Sequence, residues 1–170
     1  PKSGQVLSMV GSKDWHAEDI DGQFNVATSP NRQPGSSIKP IIYTAAFMKG
    51  YTPNTVVWDV LTTFPAFPAA YTPHNYDDKQ RGPVTLRTAL QGSLNVPAVK
   101  LLYLTGLERV LDFGKELGYT TLEAPSKYGL SFVLGGVQVQ LLEHVGAYGV
   151  FANEGERHPL ATILKVEKPT

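Results

Sequence analysis

Ser36-Ser37-Ile38-Lys39 sets a hydroxyl and an ammonium three residues apart, a spacing that places both on one face of a helix. A serine hydroxyl attacks a carbonyl well only when a base removes its proton. A lysine can be that base only if burial or neighbouring positive charge lowers its pKa. A helix N-terminus also favours negative charge developing on the serine oxygen. The pair could therefore serve as a base-activated serine nucleophile. The pattern alone is unspecific, because nine serines and ten lysines produce such a pair readily by chance. Its bland alternative is an N-cap serine followed by a solvated lysine. A second pattern, Ser93-Leu94-Asn95, falls where two helices are expected to meet, and a polar turn there can project side chains into a cleft. In isolation it reads as a helix C-cap followed by an N-cap ahead of Pro97. The two patterns in this order say more than either one.

The other chemistry-bearing residues point nowhere specific. His16, His74, His144 and His158 have no metal-ligand spacing, so no metal site is expected. Asp19-Ile20-Asp21-Gly22 opens like a calcium loop, but the later ligands and the closing glutamate do not follow. Asp77-Asp78 are adjacent residues that seldom face one another, and Asn75, Lys79 and Arg81 around them suggest a charged turn. Gly135-Gly136 lacks a phosphate-binding spacing and reads as a tight turn or a close backbone approach. No cofactor is expected. Lys plus Arg equal Asp plus Glu at 15 each, so no net field draws the chain to nucleic acid or an acidic membrane surface. The absence of cysteine removes disulfides, thiolate catalysis and cysteine-based zinc, and suits export.

The elements that must position these residues are mostly helical. Ser36 to Lys49, stopped by Gly50, has an apolar helical face, and Pro40 is tolerated only in the first turn, so Ser36 must sit close to the helix start. From Val84 a helical period returns in three short runs, VTLRTALQGS, VPAVKLLYLTG and LERVLDFGKELG, and Leu141 to Asn153 reads as a further helix stopping near Gly155. Gln5 to Ser12 and Ala161 to Glu167 read as strands. Lys13 to Gly35 reads as a long loop, and Tyr51 to Pro83, rich in proline and aromatics, as mostly irregular surface. The longest apolar run, Pro40 to Met48, is far short of the roughly 20 residues of a membrane span. A chain that opens on Pro1 without a signal-like segment reads as a piece of something larger, with any anchor outside it. No internal repeat is present.

Longer strings carry a resemblance. FNVATSPNRQPGSSIKP around Ser36, NYDDKQRGPVTLRTALQGSLNVPAVKLL through Asn95, and LSFVLGGVQVQLLEHVGAYGVFANEG from Leu130 to Gly155 resemble, in order, the transpeptidase domain of class A, usually bifunctional, penicillin-binding proteins. The resemblance implies an α/β fold of the serine β-lactamase and penicillin-binding type, a mainly antiparallel sheet sandwiched by helices and incomplete in this chain. It implies that Ser36 is the nucleophile and that Lys39 takes its proton. Ser93 would relay a proton between lysine and leaving group, while Asn95 holds the donor peptide backbone and supports Lys39. The implied reaction is peptidoglycan D,D-transpeptidation. Ser36 attacks the penultimate D-alanine carbonyl of a stem peptide ending in D-Ala-D-Ala, and the acyl group passes to an amine on a neighbouring strand. β-Lactam antibiotics would acylate the same serine. Alternatives within this chemistry are a D-alanine carboxypeptidase, a β-lactamase or a β-lactam sensor; outside it, a non-catalytic fragment that needs a second chain.

One part of the family pattern has no counterpart. No Lys-Thr-Gly or Lys-Ser-Gly follows Asn95, although in the family that strand contributes a substrate-carboxylate site and one oxyanion donor. Loss of one such donor lowers rates by about a hundred- to a thousandfold. Residues 1–170 are accordingly expected to be a partial transpeptidase domain that is inactive by itself and requires a second polypeptide, or its own continuation, carrying the missing strand. The substrate would place it on the extracytoplasmic face of the bacterial cytoplasmic membrane.

Overall fold

Pro40 sets the start of the first long helix. In the computed structural model, which describes residues 2–30, 32–66 and 69–168, a 3-10 turn spans Gly35–Ile38 and runs directly into helix α1, Lys39–Met48, with proline in its first turn. There its missing N–H leaves no helical bond unmade. The chain divides into two compact units, one of Gln33–Gly114 with Leu122–Val137, the other of Pro1–Arg32, Lys115–Thr121 and Gln138–Thr170.

The first unit holds α1 together with the three successive helices expected from the periodicity: α2, Leu86–Gln91; α3, Asn95–Thr105; and α4, Leu107–Leu117, whose last turn belongs to the other unit. α1 and α3 are apolar almost all round, the signature of helices surrounded by protein. Ile38, Ile41, Ile42, Ala45 and Ala46 face the core from the turn and α1, and Val96, Ala98, Val99, Leu101 and Leu102 from α3. α3 packs on α1 and on a 3-10 turn, Leu130–Leu134, that adds Phe132 and Val133.

Two strands lie where irregular surface was expected. β1, Val56–Asp59, pairs antiparallel with β2, Gly82–Thr85, in a register that sets Val56 opposite Thr85 and Asp59 opposite Gly82. β1 has strand-forming residue types and alternating burial, with Val57 and Asp59 inward. The long proline- and aromatic-rich excursion between the two strands conceals the pairing. β2 also takes Val84 and Thr85 from the expected helix. α2 begins only at Leu86, because Thr85 is its N-cap and its Oγ1 accepts from the Thr88 N–H. The other described residues of the excursion are irregular apart from an antiparallel bridge between Phe64 and Tyr71. Those parts of the loop readings at Asn31, Phe67 and Pro68 lie outside the described residues.

The second unit holds α5, Leu141–Ala152, as expected. The two strands predicted for it do not form. Gln5 and Ala161 meet in a single parallel bridge, with Val6 N–H donating to Ala161 O at 3.0 Å and Ala161 N–H to Gly4 O at 2.9 Å. A strand needs a neighbour to take its backbone groups along its length. No further pairing of these segments occurs among the described residues, and Leu7, Val10, Ile163 and Val166 are exposed. Within the loop expected from Lys13 lies a 3-10 turn, Glu18–Ile20. No helix among the described residues is long and apolar enough to cross a membrane.

Candidate active site

The four residues singled out by sequence lie in the first unit, on the turn before α1 and the junction before α3. Lys39 is only 1% exposed. Its Nζ donates to Ser93 O at 2.6 Å, Asn95 Oδ1 at 2.8 Å, Ser93 Oγ at 3.2 Å and Leu94 O at 3.4 Å. The two motifs, more than fifty residues apart in sequence, thus converge on one ammonium. Burial lowers the Lys39 pKa from 10.5 to about 8. Four acceptors exceed the three N–H groups of an ammonium and favour the charged form. Desolvation outweighs them.

Ser36 lies in the Gly35–Ile38 turn, exposed, and its carbonyl accepts from the Lys39 N–H. No hydrogen bond to its hydroxyl forms among the described residues. Ser37 Oγ donates to Pro34 O at 2.6 Å, so the second serine of the motif is engaged in holding the turn. Behind the turn, Gly135 passes so close to Gly35 that a Cβ at position 135 would lie 2.3 Å from Gly35 Cα. Gly135 also has φ +94°, a left-handed conformation that disfavours side chains. The close backbone approach expected of Gly135-Gly136 is therefore real, and it backs the turn that carries Ser36.

Ser93 has φ +50°, uncommon for a residue with a Cβ, and from that conformation both its carbonyl and its hydroxyl reach Lys39. The cap reading of this junction is partly right. Gly92 ends α2 and Leu94 precedes α3, but neither serine nor leucine caps α3 through its side chain. Asn95 is the first residue of α3; its Nδ2 donates to His74 O at 2.9 Å while its Oδ1 meets Lys39.

Two residues escaped the sequence reading. Asn75 Oδ1 accepts from the backbone N–H of Asn95 at 2.9 Å and of Val96 at 3.2 Å, and its Nδ2 donates to Asp59 Oδ1 at 2.7 Å and to Lys79 O at 2.8 Å. Asp59 is fully buried and also accepts from the Arg81 N–H at 3.2 Å. A signal existed for Asp59, an acid ending the apolar run Val56-Val57-Trp58. Asn75 was legible only as part of the charged turn, which does form: Arg81 pairs with Asp77 at 2.7 Å, and Asp78 has a positive φ.

A serine on a helix-start turn, with a buried lysine three residues later tied to a Ser-x-Asn turn, is the arrangement of the serine penicillin-recognising proteins. The chain belongs to the family of the penicillin binding protein transpeptidase domain, whose model matches residues 1–169. It is 40% identical over 156 residues to penicillin-binding protein 1A of Aquifex aeolicus, covering 91% of this chain and 20% of that protein. To penicillin-binding protein 1A of Neisseria cinerea it is 37% identical over 168 residues, covering 97% of this chain and again 20% of the relative. The crystal structure of penicillin-binding protein 1A from Haemophilus influenzae superposes with a TM-score of 0.71 at 32% identity, over 78% of this chain and 20% of that one. The chain thus spans one-fifth of the length of these relatives, and its fold is the α/β transpeptidase fold, represented among the described residues by the helices and the two-stranded β1–β2 sheet.

Proposed function

We propose that these residues supply the acylation half of a peptidoglycan D,D-transpeptidase, with Ser36 as nucleophile and Lys39, Ser93 and Asn95 as its catalytic partners. The observation that carries the reading is the Lys39 ammonium, desolvated and held by Ser93 and Asn95 three residues after an exposed serine. In its neutral form Lys39 accepts the Ser36 proton as Oγ bonds to the penultimate D-alanine carbonyl carbon. The tetrahedral oxyanion gains from the positive N-terminal end of the Gly35–Ile38 turn and the helix α1 it runs into. The C–N bond then breaks. The departing D-alanine amine takes a proton from Lys39 through the Ser93 hydroxyl, which can accept from the ammonium and donate onward. An acceptor amine attacks the acyl-enzyme carbonyl and passes its proton through the Ser93 hydroxyl to Lys39, which returns a proton to the Ser36 oxygen as the ester C–O bond breaks.

A β-lactam follows the first step only, its ring amide taking the place of the peptide bond. The second oxyanion donor and the carboxylate site belong to a Lys-Thr-Gly strand outside residues 1–170, on a continuation of the chain or a second polypeptide. The domain works on the extracytoplasmic face of the cytoplasmic membrane, where its substrate lies. Family membership over nearly the whole chain favours transpeptidation over carboxypeptidase, sensor or β-lactamase activity.

Labelling with a fluorescent penicillin, read by denaturing gel and peptide mass spectrometry, tests the reading in the whole polypeptide that carries these residues. Label on the Ser36 peptide, lost in Ser36→Ala, is expected. Label elsewhere, or label that survives the substitution, removes Ser36 as nucleophile.

A further inference from the structure

We infer that Asn75 is a positioning residue for this site: a single buried carboxamide caps α3 from a distant loop and thereby holds Ser93 and Asn95 against Lys39. The inference rests on the acylation reading above.

Helix α3 starts without a cap of its own. Leu94 occupies the N-cap position and has no side-chain acceptor, so the first N–H groups of the helix need an outside partner. Asn75 Oδ1 supplies it, accepting from both Asn95 and Val96. These are the backbone groups on which the Asn95 side chain is mounted, two residues beyond Ser93. The orientation of the carboxamide is set from its other end. Nδ2 donates to the Asp59 carboxylate and to Lys79 O, partners that only accept, so a flipped amide would set oxygen against oxygen. Asp59 is itself held by the Arg81 N–H and faces the Arg81 guanidinium at 3.6 Å. His74, the residue before Asn75, takes the Asn95 Nδ2 on its carbonyl. Asn95 is thus gripped through backbone and side chain by two consecutive residues of one loop, and the remaining polar atom of its side chain, Oδ1, is the one that meets Lys39. With both Asn75 and Asp59 buried, water does not readily replace a lost bond.

Rates of acylation by fluorescent penicillin in the whole polypeptide test this, with the first-order acylation constant separated from the prior binding constant. Asn75→Ala is expected to slow the acylation step about a hundredfold, the scale of a misplacement near 1 Å, with binding much less affected. Asn75→Asp sets a carboxylate against Asp59 and Lys79 O and is expected to be as slow, while adding Asp59→Asn restores a donor to the first of these contacts and recovers part of the rate. Leu111→Ala, a core truncation on α4, provides a protein destabilised without touching the loop. A folded Asn75→Ala protein that acylates at the unsubstituted rate overturns the inference, as does an equal loss in Leu111→Ala. If Asn75→Ala does not fold, the exchanged pair decides: recovery supports the assignment, and none overturns it. Unsubstituted protein that takes no label on Ser36 overturns the acylation reading, and this inference with it; label there with undiminished rates in the variants overturns this inference alone.

Discussion

If Lys39 is the base for Ser36, the acylation rate must follow the neutral fraction of one buried amine. Burial lowers its pKa from 10.5 to about 8. At neutral pH an amine with the lower value is about one-tenth neutral and one with the ordinary value about one part in three thousand, so burial supplies about a three-hundredfold gain in competent base. The second-order constant for acylation by a penicillin reports the free enzyme, and the penicillin carboxylate does not titrate in this range. Stopped-flow or quenched reactions of the whole polypeptide should show that constant rising about tenfold from pH 7 to pH 9 and levelling off, where a lysine of ordinary pKa would give about a hundredfold with no plateau. The same shift has a consequence for stability. Between pH 8 and 10.5 the unfolded chain keeps a proton that the folded chain has released, so the fold gains stability as pH rises through this window. The gain is roughly 3 kcal/mol at full extent and should be absent from Lys39→Met, so that the stability difference between parent and variant grows across the same range. A pH profile that climbs one decade per unit past pH 9.5, or one that is flat from pH 6, would refute the assignment of Lys39 as a desolvated base.

Three further outcomes follow from the geometry. Gly135→Ala forces a Cβ to within 2.4 Å of the Gly35 nitrogen at a φ of +94°, so it should destabilise the fold by at least about 2 kcal/mol and slow acylation, whereas Gly149→Ala in α5, which meets nothing within 4 Å, should leave stability unchanged or raise it by up to about 1 kcal/mol; thermal unfolding and penicillin labelling of both variants check this. Ser93→Gly relieves a positive φ and deletes the hydroxyl that meets Lys39, so the unfolding midpoint should hold or rise while acylation falls about a hundredfold, and a loss of both together would mean that the hydroxyl matters mainly to the fold. His144 is buried, its Nδ1 is 2.5 Å from the Tyr119 hydroxyl, and burial holds its pKa below 6.5, so the unfolded chain binds the proton first and stability should drop as pH falls below 6.5; denaturant titrations at several pH values, with His144→Gln showing a weaker dependence, check the sign.

What could be read from the sequence, and what could not, divides along the range of the forces involved. Helices α1 to α5 were visible because their signals are local: an apolar face, a proline confined to a first turn, a glycine stop. Ser36 and Lys39 sit on one such element, so their spacing was already a statement about geometry. β1 and β2 were not visible, because a four-residue strand with a partner more than twenty residues away is defined by that partner, and the intervening prolines and aromatics read as irregular chain. The strands predicted at Gln5 and Ala161 failed in the opposite direction. Alternation was present locally, but only one bridge forms between the two segments.

The same division runs through the site. The Ser93 hydroxyl and the Asn95 amide were legible as types in a pattern, yet the role proposed for them depends on where the start of α3 is pinned, and Asn75 and Asp59, from another part of the chain, supply the hydrogen bonds there. A polar residue there has no periodicity and no motif of its own. What marks it is burial with every hydrogen-bonding atom satisfied, a property of the assembled core. A buried lysine imposes a similar demand. For its ammonium to serve as the proposed base, its acceptors must be held in place, and the loop that hydrogen-bonds Asn95 through both backbone and side chain contributes to that. On the proposed mechanism, reactivity at Ser36 and the hydrogen bonds that join Asp59, Asn75 and Asn95 are therefore one design problem, with the chemistry on a local motif and its control on long-range contacts.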